Sequence, residues 1–310
     1  MTFEYKVEQA SFNSNGTDIV GRLLLPERQG RSPAVTILGP VGFVKEQAPI
    51  QYATRLAKQG FAVLLFDPRF HGESGGEPRR FESGEAKTQD VIAAIDYLCT
   101  REQIDHDRIG ALGICQGVNW TVRAANIDTR IRTVGLVAGH YLLPDVAINY
   151  LGSAENLANR LRKAKKARLT FESTGKVDYI HIVSPSLDIP DPEALLSFPA
   201  IQKFYIRWQD REQGLEHRGL WENRITTMSE SLIWEYDVRP SLVQLATPLM
   251  MIHADRAATG PKIPRQLFET INSSSKELVW LENAGQIQFY EDPMVIDSAI
   301  SHLSRFFDAN

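Results

Sequence analysis

The chain is poor in the features that assign a protein quickly. Only two cysteines, Cys99 and Cys115, occur in 310 residues. Two thiols make no disulfide framework, and such sparing use of cysteine suits a reducing compartment. No spaced set of His and Cys ligands is present, so no metal site is expected, and nothing in the chain calls for a cofactor. No stretch approaches the roughly eighteen uninterrupted apolar residues of a membrane helix. The start, M-T-F-E-Y-K-V-E-Q-A, has no apolar run of signal-peptide type, so a cytoplasmic location is expected. Internal repeats and low-complexity tracts are absent. Positive charge is not in excess: the net charge of −4 gives no electrostatic reason to expect nucleic acid or an anionic membrane.

What is present is ordinary for a soluble globular chain, with 43% hydrophobic and 23% charged residues. The length suits one α/β core with an insertion and buries a sizeable core. Two strand-like runs, E-Y-K-V-E-Q-A-S-F and D-I-V-G-R-L-L-L, flank N-S-N-G at 13–16, a strong hairpin signal. Short apolar runs at 33–39, 61–67, 108–114, 131–139, 248–254 and 276–282 read as strands. Helical spacing fills the gaps, from about Lys45 to Gln59, Gly84 to Arg101, onward from Gln116, near Pro264–Ile271, and along the last segment.

The alternation of strand and helix predicts an α/β fold, a mostly parallel eight-stranded sheet with helices on both faces. Residues 1–140 and 241–310 form that core. Residues 141–240 interrupt the pattern and are expected to form an inserted, mainly helical lid over a pocket. Within the insertion, A-E-N-L-A-N-R-L-R-K-A-K-K-A-R is an amphipathic helix with a basic face, read as a solvated surface.

Ligands of such sheets bind beyond the carboxyl ends of the strands. There, G-I-C-Q-G at 113–117 follows a strand and opens a helix. Two glycines allow a sharp turn that would display Cys115, and a helix N-terminus favours a thiolate. Cys99 sits beside a helical apolar stripe and reads as core. An acyl nucleophile needs an oxyanion hole, which nominates the amides of Gln116 and Val41, with Gly42 as a further donor. Of seven histidines, His106 lies at the wrong sheet end, His302 is off the last helix's stripe, and His181 and His217 belong to the insertion. His71, His140 and His253 remain at the correct edge, and Trp208, Trp221 and Trp234 lie in the insertion. His140 is the first candidate for a base. Gly42, His71, His253 and Trp221 are candidate substrate contacts.

G-P-V-G-F-V-K-E-Q at 39–47, F-D-P-R-F-H-G-E-S-G-G-E-P-R at 66–79, D-H-D-R-I-G-A-L-G-I-C-Q-G at 105–117 and P-L-M-M-I-H-A-D-R-A-A at 248–258 together resemble the α/β-hydrolase superfamily. The chain looks most like the bacterial branch of dienelactone hydrolase and acetyl-esterase-like proteins. The resemblance implies a nucleophile at Cys115, an acid after the strand at 248–254, and a His in the loop after 276–282. The sequence departs at the last two. Gln286 occupies the His slot, and the acid slot falls near Ala257, leaving Asp255 as the nearest carboxylate. Gln cannot act as a general base.

The expected function is therefore Cys-dependent processing of a small-molecule acyl substrate, free or carrier-bound, through an acyl-Cys115 intermediate. Transfer, cyclisation and hydrolysis of a thioester or ester all remain open. A thiol needs less assistance than a hydroxyl, and acyl release to water usually requires a base. Two other readings are a non-catalytic ligand-binding homologue and a C–C lyase or cyclase using the oxyanion hole alone. A homodimer is compatible with the sequence.

Overall fold

The computed structural model describes residues 2–208 and 220–310, so His217 lies outside the described residues. The chain opens with β1 (Tyr5–Ser14) and β2 (Thr17–Pro26), an antiparallel pair. Their turn residues Asn15 and Gly16 have φ of 48° and 79°. Positive φ at both positions matches the strand twist, which is why Asn-Gly is favoured there. There follow β3 (Ser32–Leu38), α1 (Ala48–Lys58), β4 (Ala62–Phe66), α2 (Gly84–Cys99), β5 (Ile104–Ile114), α3 (Gly117–Ile127) and β6 (Ile131–Val137).

The next hundred residues carry α4 (Pro144–Tyr150), α5 (Ala154–Thr174), β7 (Tyr179–Ile180), α6 (Pro199–Ile206), β8 (Ile225–Thr226), α7 (Ser229–Trp234) and α8 (Arg239–Gln244). The α/β alternation resumes with β9 (Leu249–His253), α9 (Lys262–Thr270) and β10 (Lys276–Trp280). A one-turn α10 (Gln288–Glu291) and the long α11 (Pro293–Ala309) end the chain.

Eight strands form one sheet in the order β1-β2-β4-β3-β5-β6-β9-β10. The β1–β2 and β2–β4 pairs are antiparallel and the rest parallel. This is the mostly parallel sheet expected from the alternation. Every residue of β3 and β4 is buried, which requires helices on both faces. α1 packs with α11 and α2 with α3, making those two layers. Strand order reverses at β3, flanked by β4 and β5, so a crevice opens at the carboxyl ends of β3 and β5.

α1 begins at Ala48, three residues beyond the expected start at Lys45. Competing hydrogen bonds hold that stretch out of the helix: Lys45 N donates to Asp67 Oδ1 at 2.7 Å and Val44 N to Gln47 Oε1 at 3.1 Å. The buried Lys45 ammonium also meets Asp67 Oδ2 at 2.8 Å. α5 matches the amphipathic pattern and runs six residues past it to Gly175, whose φ of 74° suits a helix C-terminus.

Candidate active site

β5 ends at Ile114 and α3 starts at Gly117, so the turn between them is two residues long. Cys115 takes φ of 56°, a region disfavoured for residues with a Cβ. Its neighbours hold it there. Cys115 N donates to Val137 O at 3.0 Å, and Cys115 O accepts from His140 N at 3.1 Å and Val118 N at 3.3 Å. The flanking glycines answer to close packing. A Cβ at Gly117 would lie 2.5 Å from Leu38 O, and one at Gly113 would lie 2.7 Å from Val118 Cα. Asn119 secures the turn from behind: its Nδ2 donates to Gln116 O at 2.8 Å and His140 O at 2.9 Å, and its Oδ1 accepts from Leu142 N at 3.0 Å.

Cys115 faces a cavity of about 710 Å³. Val41, His140, Ala257 and Gln286 from the sheet edge line it, with Tyr150 and Phe198 opposite. The sulfur is buried, and burial pushes its pKa up. A hydrogen bond from the Tyr290 hydroxyl and one from the Gln116 amide pull the other way without cancelling burial. The helix-terminus argument, which favours a thiolate, is therefore outweighed by desolvation.

Tyr290 was not anticipated. It is buried, on the one-turn α10, four residues after Gln286. Gln286 Nε2 donates to Tyr290 Oη at 2.8 Å and to Ala138 O at 2.9 Å, while Gln286 Oε1 accepts from Ala258 N at 2.7 Å. Donors and acceptors on both sides fix the amide's orientation. Tyr290 Oη, accepting from Gln286, lies on the same cavity wall as Cys115. A thiol, a phenol and an amide thus stand where nucleophile, imidazole and carboxylate were expected. The acid slot is filled by a backbone donor, Ala258 N–H, which complements an amide oxygen as a carboxylate could not. The phenols of Tyr150 and Tyr205 also lie within electrostatic reach of Cys115. Gln286 stands in the turn before α10, so no helical spacing links it to Tyr290 and no signal in the sequence singles that tyrosine out.

The other nominated residues fare unequally. His140 lines the cavity, but its ring stacks on Tyr150 with centroids 5.5 Å apart, and burial lowers its pKa to about 4. Among the described residues no imidazole hydrogen-bonds to Cys115. His253 is fully buried beneath the site, its Nε2 3.2 Å from Gly139 O and its Nδ1 3.0 Å from Ala254 O. Asp255 is exposed and accepts from Trp280 Nε1 at 3.0 Å, so it is not the acid of a relay. Trp221 does not line the cavity; it stacks behind Tyr205, centroids 5.1 Å apart, and Tyr205 lines the cavity instead.

Val41 lines the cavity, and its amide donates to none of the described residues. The Gln116 N–H lies beside the sulfur, so these two amides remain the candidate oxyanion donors. Gly42 is not available for that task. Its N–H donates to Glu82 Oε2 at 3.0 Å, and Ile182 covers its α-carbon. Glu82 is buried and paired with Lys87. His71 is likewise withdrawn from substrate: its Nδ1 meets Arg69 O at 2.9 Å, and burial and Lys87 hold it neutral. Glu82 stands 3.4 Å from His71 Nε2 without a hydrogen bond, so this cluster props the loop after β3 from below. Among the described residues no group of three or more His, Cys, Asp or Glu could hold a metal ion, and no helix is long and apolar enough to cross a membrane.

An eight-stranded sheet of this order, with a nucleophile turn after β5, defines an α/β-hydrolase. The chain belongs to the family described as serine aminopeptidase, S33, which matches residues 47–285. It is 30% identical to the uncharacterized protein YcjY of Escherichia coli over 89% of this chain and 88% of that protein. The uncharacterized protein PA2218 of Pseudomonas aeruginosa is 28% identical over 90% of this chain and 74% of its own length. The crystal structure of PA2218 superposes with a TM-score of 0.81, covering 98% of this chain and 94% of that one. A shorter match, 35% identical over 39% of this chain and 37% of the relative, is to the thiohydrolase aneE of Aspergillus aculeatus.

Proposed function

We propose that the protein is an acyl-processing enzyme that accepts the acyl group of a thioester on Cys115. The observation that carries this reading is that Cys115 and Tyr290 line one cavity, with the phenol held by Gln286 Nε2 at 2.8 Å. In the step proposed, Cys115 Sγ attacks the carbonyl carbon and a C–S bond forms. The S–H proton passes to Tyr290 Oη as the phenol's own proton goes to the departing sulfur. The carbonyl oxygen's negative charge is met by the amides of Val41 and Gln116. The C–S bond to the leaving thiol then breaks. Protons are exchanged one for one, so the step needs no strong base.

Release of the acyl group to water is less well served, because water must lose a proton to a base. Tyr290, with its pKa raised, is a poor one. Transfer to a second thiol or amine, or cyclisation, is therefore favoured over hydrolysis. A thiohydrolase among the shorter matches supports the thioester class. Residues 141–240 act as the lid in this reading, since Val146, Tyr150, Leu196, Phe198 and Tyr205 contribute cavity wall. The raised thiol pKa favours a second reading, in which Cys115 stays protonated and the cavity binds ligand without turnover.

Intact-mass measurement with a panel of acyl thioesters separates the two. The first reading expects an acyl adduct on wild-type protein, none on Cys115→Ala, and slower formation on Tyr290→Phe. No adduct, with ligand-induced thermal stabilisation that survives Cys115→Ala, would establish the second.

A further inference from the structure

The basic face of α5 is solvent-exposed, as expected, and part of it borders a cavity. Asn156, Asn159, Arg160, Lys163 and Lys166 recur at helical spacing, and all line a second cavity of about 560 Å³. Arg162 lies at its edge. The charges in this groove are only partly balanced. Arg160 is tied to Glu230 at 2.5 Å and Lys163 to Glu193, whereas Lys166 has no acidic partner among the described residues. Among the described residues, Arg162 is bonded only to the neutral Asn159.

The groove and the Cys115 cavity are neighbours with a thin common wall. Along the extended stretch 195–198, Leu195 and Ser197 face the groove, while Leu196 and Phe198 face the cavity. Such alternation is what an extended backbone imposes. The wall is pinned by Leu195 N to His181 O at 2.9 Å and Leu196 N to Ile182 O at 2.8 Å. Tyr150 completes the partition: it borders both spaces, stacks on His140 and meets Phe198 edge to face at 5.3 Å. A groove with an excess of cations on one side of Tyr150 and a mostly apolar thiol cavity on the other, both open to solvent, are matched to a two-part ligand that crosses the rim between them. One part is an apolar acyl group, and the other is an anionic handle on its leaving thiol.

We propose that the α5 groove binds the phosphate of a phosphopantetheine-type arm, so that the acyl donor is a thioester whose thiol carries that phosphate. This rests on the thioester reading above. The chemistry is shared by free coenzyme A and by the arm of an acyl carrier protein.

The test compares one acyl group on three thiols: coenzyme A, a phosphopantetheinylated carrier protein, and uncharged N-acetylcysteamine. The ratio of acylation efficiencies, charged over uncharged, reads the groove. Arg162→Glu and Lys166→Glu together should lower that ratio at least tenfold, whereas Lys58→Glu and Lys6→Glu together, an equal change in charge at exposed positions that do not line the groove, should not. A loss confined to the coenzyme A arm assigns the free ester, and a loss confined to the carrier arm assigns the carrier. A ratio unmoved in both charged arms overturns the proposal and leaves the thioester reading standing. Equilibrium binding of coenzyme A to Cys115→Ala protein gives the converse. Binding that weakens on charge reversal, when no thioester acylates the wild-type protein, supports the groove while the thioester reading falls.

Discussion

Gln286 engages all three of the polar contacts its side chain is built for, and each replacement loses a definable part of them. Gln286→Glu puts an oxygen against the Ala138 carbonyl in place of a donor, at an expected loss of about 1–3 kcal/mol of stability. Gln286→His restores the residue type of the family relay, but an imidazole cannot replace two donated bonds and one accepted bond at once. We expect it to depress acylation, not to create ester hydrolysis; a rise in hydrolysis would mark Gln286 as a vacated base position. Tyr290→Phe removes only the hydroxyl and should slow Cys115 acylation about 100-fold or more, the usual scale for a proton-transfer group. The pH profile follows from the same atoms. His140 titrates at about 4, and Cys115 and Tyr290 are both raised. Acylation efficiency should thus be level across roughly pH 5.5–8, a window in which a thiol–imidazole pair would show an inflection. The exchange of His for Gln could be read in the sequence as a loss. Its compensation could not, because Tyr290 gains its role from a hydrogen bond, and spacing alone does not distinguish a buried core tyrosine from a functional one.

At the scale of elements, the site depends on how closely α3 approaches the β3 loop. Gly117 is the contact point: a Cβ there meets the backbone oxygens of Leu38 at 2.5 Å and Gly39 at 2.6 Å, neither of which can rotate aside. Gly117→Ala should reduce stability by about 2–4 kcal/mol in urea unfolding. Gly175→Ala, with positive φ but no atom within 4 Å, should lose only about 1 kcal/mol. The elbow and the Asn-Gly hairpin were both legible, because each is specified within a few consecutive residues. The start of α1 was not. Lys45 is held out of the helix by Asp67, 22 residues away, and no local pattern carries that information. α10, at four residues, is too short for any periodicity to show.

For the molecule as a whole, three buried histidines, His71, His140 and His253, are all lowered in pKa. The folded chain keeps them neutral where the unfolded chain would take up protons. Their contribution is complete above the ordinary value near 6.5 and is lost as pH falls through the window below it. For His140 the window closes at about 4, and the contribution is on the order of 3 kcal/mol. Asp67 and Asp90, raised by burial, act in the opposite sense, so the difference between wild type and His140→Phe is the informative curve. The stability gap between the two should narrow as pH drops from 6.5 to 4; a constant gap would mean that His140 does not titrate as described. The mostly parallel sheet was legible from the alternation of elements, but its strand order was not. The arrangement of residues 141–240 was not, because its helices pair through long-range contacts such as Arg160 with Glu230, 70 residues apart.

A buried thiol with no hydrogen-bonded imidazole among the described residues also decides which reagents would find this protein in a cell extract. Fluorophosphonates capture hydrolases whose nucleophile is activated by an imidazole, and Cys115 has no such neighbour among the described residues. A survey with those probes would score the chain as inert. Small uncharged alkylating agents that can enter the cavity should label Cys115 slowly at neutral pH and faster in alkali, while anionic ones are disfavoured by its mostly apolar walls. A blank in fluorophosphonate profiling would therefore say nothing about turnover, and thiol-directed labelling would be the informative assay.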